Sequence, residues 1–163
     1  MKLCDQTGIS PTEFQKDMIE YSDLQLESAV DPMEEVHISL RLTNTGSVAG
    51  TEIVQLYLAD PHASMSRPVK ELQGFARVSL EPGESKCVTF TAAPSQMAFL
   101  GEDGKWVIEA GQIDVEVGAS SEDIRLSSTF RITRTQCIAG RNRAFCAKTT
   151  IDKPIVSFRF SMI

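Results

Sequence analysis

Cysteine, histidine and the large aromatic residues are scarce in this chain of 163 residues. The four cysteines, Cys4, Cys87, Cys137 and Cys146, form no Cys-x-x-Cys pair, and only His37 and His62 are available to join them. Such spacing supports neither a disulfide framework nor a zinc site, so no metal and no cofactor is expected. With 1 tryptophan and 2 tyrosines, the chain also has few of the rings on which a sugar-binding face is usually built. No apolar run approaches the roughly 18 residues needed to cross a bilayer, and the opening residues Met1-Lys2-Leu3-Cys4-Asp5 lack the apolar stretch of a signal peptide. The expectation is a chain with no membrane partner and no export signal of its own, its compartment left open. A Gly-x-Ser-x-Gly elbow and a phosphate-binding glycine loop are missing too.

What the chain has is acid, unevenly placed. Residues 1–130 hold 9 Lys+Arg against 21 Asp+Glu, a balance of −12, whereas residues 131–163 hold 7 against 1, a balance of +6. The acidic body would repel phosphate backbones, so no nucleic-acid partner is expected for it. At 42% hydrophobic and 23% charged residues, the composition is that of an ordinary globular domain.

From Glu35 onward the apolar residues recur with period 2, the mark of strands with one buried face. Val36, Ile38, Leu40 and Leu42 alternate with polar residues up to the turn-forming Asn44-Thr45-Gly46. A second run, Ile53 to Leu58, follows, and the two read as a hairpin. Asp60-Pro61 and Pro68 interrupt the pattern, since proline has no N–H to give a ladder. Further runs lie around Phe75 to Leu80, Val88 to Ala92, Lys105 to Glu109, Ile113 to Val117 and Leu126 to Ile132, and Glu81-Pro82-Gly83-Glu84 is a tight-turn sequence. About seven strands with turns every 8 to 15 residues point to an all-β, antiparallel sandwich. Val36, Ile38, Leu40, Leu42, Val54, Leu56, Val88, Phe90, Val115 and Val117 are its expected core. Near the amino end, Ser10-Pro11-Thr12-Glu13 has the form of a capping box before a short helix. Toward the other end, Gln136 to Lys153 has no clean period, while Val156, Phe158, Phe160 and Met162 alternate as an extra strand would.

Five strings occur in order: Leu42-Thr43-Asn44-Thr45-Gly46, Gly50 to Tyr57, Arg67 to Phe75, Pro82-Gly83-Glu84-Ser85 and Asp103-Gly104-Lys105-Trp106-Val107. Together with Val117 to Arg125 they resemble the fibronectin type III-like domain at the carboxyl end of family 3 glycoside hydrolases, the β-glucosidases and β-xylosidases. The resemblance implies an immunoglobulin-like sandwich over residues 21–132. It also implies a linker at 1–20, leading from catalytic domains that this chain does not include, and a basic extension at 133–163 without a family counterpart. Glycoside hydrolysis generally needs two carboxyl groups flanking the bond. In the resembled family these belong to a (β/α)8 barrel and an α/β domain, so the chain alone is expected to have no catalytic residue.

The function implied is therefore that of an accessory module that docks on and stabilises catalytic domains in cis. A stand-alone module binding carbohydrate or protein is the alternative. For docking, the resemblance singles out Arg67, Pro68, Lys70, Glu71, Leu72 and Phe75, because the matching segment faces the neighbouring domain. The competing reading puts Leu72 and Phe75 in the core and the charges in water. An exposed apolar patch there would favour weak self-association. Trp106 is read as a strand residue packed among Val107 and Ile108, with a sugar contact as the other option. The basic segment is read as lying against the acidic body, and Cys137 and Cys146 are spaced to allow a disulfide loop.

Overall fold

The structure is a computed structural model that describes residues 18–152. The capping box at Ser10 and the alternation at Val156 to Met162 lie outside the described residues. Seven strands of seven or more residues build the body: β1 (Ile19–Gln25), β3 (Val36–Asn44), β4 (Gly50–Ala59), β5 (Glu71–Leu80), β6 (Ser85–Ala92), β9 (Gly111–Ser120) and β10 (Asp123–Ile132). Short strands β2 (Ala29–Val30), β7 (Phe99–Leu100), β8 (Trp106–Ile108), β11 (Gln136–Ile138) and β12 (Lys148–Asp152) complete it. One sheet runs β1-β3-β6-β12 and the facing sheet runs β2-β10-β9-β4-β5, with a small β11-β8-β7 sheet beside them. All pairs are antiparallel except β2 with β10. The fold is a β-sandwich, as the period-2 pattern implies, and of the immunoglobulin-like type that the family resemblance implies.

The inner faces of the two sheets supply the core. All ten residues expected inside are buried, joined by Tyr21, Leu58, Val78, Leu80, Ile113, Phe130 and Ile132 among others. The Glu81–Glu84 turn forms as its sequence implies: Glu84 N donates to Glu81 O at 2.9 Å, and Gly83 takes φ 75°, a conformation glycine adopts without a Cβ clash.

The hairpin expected between the Val36 and Ile53 runs does not form. β3 pairs with β1 and β6 in one sheet, while β4 pairs with β5 and β9 in the other. Alternation tells which side chains point inward but not which sheet a strand joins, and here the connection crosses from sheet to sheet. Asn44 fixes that corner. Its buried Nδ2 donates to Val48 O at 2.8 Å and to Leu80 O at 3.1 Å, and its Oδ1 accepts from Gly46 N at 2.9 Å.

The segment without a legible period, from Gln136 to Asp152, supplies two strands. β11 pairs with β8, and β12 adds to the edge of β6, with Ile151 opposite Val88. Arg134 binds Asp31 through two contacts of 2.9 and 3.1 Å, and Lys148 Nζ lies 3.4 Å from Glu35 Oε1, so basic side chains here do rest on the acidic body. Cys87, Cys137 and Cys146 are free thiols.

Candidate docking face

β5 is an edge strand, and its register carries a bulge: Gly74 faces Leu56 and Leu72 faces Tyr57, leaving Gln73 as the extra residue. Strict alternation back from Leu80, Val78 and Ala76 would turn Leu72 inward. The bulge reverses this. Gln73 and Gly74 are both buried, while Leu72 and Phe75, 51% and 60% exposed, both reach solvent.

A buried amide network holds the bulge. Gln96, in the 3-10 turn Pro94–Met97, donates from Nε2 to Gln73 Oε1 at 2.9 Å and to Gln73 O at 3.3 Å, and its Oε1 accepts from Ala93 N at 3.0 Å. Gln73 Nε2 in turn donates to Glu71 Oε2 at 3.1 Å. On the open edge, Ala147 N donates to Gln73 O at 2.8 Å. Gly74 sits in close quarters: a Cβ there would stand 3.1 Å from Ala147 Cβ and 3.2 Å from Phe90 Cδ1, so those neighbours would have to give by a few tenths of an ångström.

The outer face of this sheet mixes apolar and charged groups. Phe75 lies opposite Gln55, Leu72 opposite Tyr57 and Arg77 opposite the exposed Ile53. Tyr57 donates from its hydroxyl to Gln55 Oε1 and is covered by Lys70, whose Nζ sits 5.5 Å from the ring centroid and donates to Glu116 Oε2 at 2.7 Å. Arg67 stands apart from this face. Its side chain is 10% exposed, 3.8 Å from Asp60, with its guanidinium 5.6 Å from the Phe99 ring centroid. Burial pushes the Asp60 carboxyl above its ordinary value, partly offset by the His62 amide and the Arg67 charge, while Glu109 adds to the rise.

Of the six residues singled out, Leu72, Pro68 and Phe75 are exposed; Lys70 and Glu71 are half-buried and internally partnered; Arg67 anchors the loop from beneath. Sequence reading missed Gln73 and Gln96, since a polar residue in a strand gives no sign of being a buried bulge. It also passed over Val69 and Met65, exposed apolar residues of the preceding loop. Trp106 packs half-buried against the core with Arg143 over its ring, so its indole is not an open platform. Among the described residues no group of three or more His, Cys, Asp or Glu side chains is placed to hold a metal.

Comparison with known proteins identifies the domain. Residues 52–121 match the fibronectin type III-like domain family. The chain is 40% identical over 136 residues to thermostable β-glucosidase B of Acetivibrio thermocellus, covering 82% of this chain and 17% of that protein. It is 45% identical over 85 residues to a β-xylosidase of Formosa agariphila, covering 52% and 12%. Among solved structures, β-glucosidase 3B from Thermotoga neapolitana, in complex with α-D-glucose, aligns with TM-score 0.67 and 36% identity over 74% of this chain and 16% of that one. The chain thus spans about one sixth of the length of β-glucosidases it matches. The sandwich is the fibronectin type III-like domain of family 3 glycoside hydrolases.

Proposed function

We propose that this chain is a non-catalytic accessory module of a family 3 glycoside hydrolase. It docks through the outer face around Leu72 and Phe75 and fixes catalytic domains in place. The observation that carries the reading is the bulge at Gln73. A buried amide network and a tightly packed glycine hold two large apolar side chains in solvent, where an isolated domain gains nothing from them. The charged neighbours Lys70 and Glu116 are already paired with each other, and the face is apolar at its centre with charged groups such as Arg77 around it, a composition suited to contact between domains. The partner is the pair of catalytic domains in cis, and the apolar centre leaves the separated chain prone to weak self-association. Residues 133–152 then serve the sandwich, bonding the β5 edge through Ala147.

The test uses β-glucosidase B of Acetivibrio thermocellus shortened by the segment that matches this chain. Sedimentation of the shortened enzyme mixed with this chain is expected to show a complex. The same mixture with Leu72→Glu/Phe75→Glu is expected to show two separate species. A complex indifferent to the double substitution would move the docking face elsewhere.

A further inference from the structure

β12 leaves the body beside the proposed docking face. Ala147 N donates to Gln73 O at 2.8 Å and Thr149 Oγ1 donates to Phe75 O at 3.3 Å, so this stretch advances along the β5 edge in the direction of β5 itself. Thr149 and Ile151 pair with Phe90 and Val88 of β6, and the strand ends at Asp152, opposite Cys87. Pro154 follows in the sequence with no N–H to offer the ladder, so further pairing along β6 is not favoured. The next residues ask for an apolar surface instead. Val156, Phe158, Phe160 and Met162 alternate with Ser157, Arg159 and Ser161, the pattern of an extended segment with one covered face.

Such a surface lies within reach. Ile53, Leu72 and Phe75 share the outer face of the β5 sheet and are 39%, 51% and 60% exposed. Phe75 is bonded to Thr149, three residues before the end of β12. At about 3.3 Å per extended residue, the stretch from Lys153 to Phe158 spans up to about 20 Å, enough to turn back over that face. Charge points the same way, since residues 153–163 carry Lys153 and Arg159 and no acid, while the body they leave is acidic. We propose that residues 155–162 fold back over Ile53, Leu72 and Phe75 as a displaceable strap, covering the docking face in the free chain and giving way to the catalytic domains. A second copy of the chain is the weaker competitor for this face, because a short tether holds its own segment at an effective concentration of roughly millimolar order. Displacement of the strap by catalytic domains rests on the docking proposed above; the strap itself does not.

Photo-cross-linking of the intact chain tests the strap. The variant Phe158→p-benzoyl-L-phenylalanine is irradiated at micromolar concentration, and the products are separated by mass and mapped by tandem mass spectrometry. The expected product is monomeric, with position 158 joined to residues 71–77 or to Ile53. Adding Leu72→Glu/Phe75→Glu to the same chain should lower its yield at least fivefold. Attachment elsewhere in the monomer, or no monomeric product, would overturn the strap. A product found only in dimers would give the face to a second copy and overturn it too. Displacement is read by adding the shortened β-glucosidase B described above, which should lower the monomeric yield at least fivefold, and an undiminished yield would keep the strap and overturn its displacement. Sedimentation of that same mixture reports docking independently, so a complex that leaves the cross-link intact would place docking on another face.

Discussion

Gln73 decides which side chains the edge strand shows to solvent, and its effect was not legible in the sequence. Counting by twos from Leu80 puts Leu72 in the core, and only an inserted residue undoes that count. The bulge also makes the two readings of Leu72 separable by stability. Leu72→Glu and Phe75→Glu should each change stability by no more than about 0.5 kcal/mol, the range of surface substitutions. Phe90→Ala, in the fully buried layer between the sheets, should cost about 3–5 kcal/mol. Chemical denaturation of the three variants checks this, and a loss at Leu72 comparable to that at Phe90 would return Leu72 to the core. Gln96→Leu should cost about 1–3 kcal/mol, since it strands the buried Gln73 Oε1 and the Ala93 amide without partners. Faster amide hydrogen exchange along β5 would accompany that loss.

Strands were easier to read than their neighbours. Six of the seven long strands follow from alternation because each has one apolar and one wetter face, whereas β1 was not read that way and the seventh run, Lys105 to Glu109, forms only the short β8; the Pro82-Gly83 turn follows from residue chemistry. The assignment of β3 and β4 to different sheets does not, because both present the same period and the deciding contact is a buried asparagine acting across the corner. β11 and β12 were invisible for a related reason: β12 is exposed at every position, so it has no buried face to impose a period. Its place comes from pairing with β6 and from the Ala147 bond to β5. A chain ending at Thr135 should therefore melt several degrees lower than the full chain, and an unchanged melting temperature would mean that the added strands contribute nothing.

The Arg134 tether of this region is sensitive to acid. The Met33 amide and the Arg134 guanidinium hold the Asp31 carboxyl below its ordinary value. A folded-state value depressed in this way gives stabilisation that is present above the unfolded value near pH 4 and lost as pH falls through the folded one. Asp31→Asn should therefore melt below wild type at pH 7, with the gap closing as the pH falls from the unfolded value through the lower folded one. A gap that stays constant over that range would show that the charge of Asp31 plays no part.

At the scale of the whole molecule, the sandwich was legible from period and the family from five strings in order. The proposed docking face was legible only as a mixture of residue types whose orientation needed the fold. On the proposed reading the module brings no chemistry of its own, and the purified chain should leave aryl β-glucosides and β-xylosides unhydrolysed from pH 4 to 8. Turnover that tracks the protein peak through repurification would contradict that. Docking is the claim on which the account rests most heavily, and a hybrid enzyme tests it most directly. In that hybrid, this chain replaces the matching segment of β-glucosidase B of Acetivibrio thermocellus, and its unfolding is followed by scanning calorimetry. The account predicts one cooperative transition for the hybrid and two for its Leu72→Glu/Phe75→Glu variant, the lower belonging to the released catalytic part. A single unshifted transition in both would contradict it.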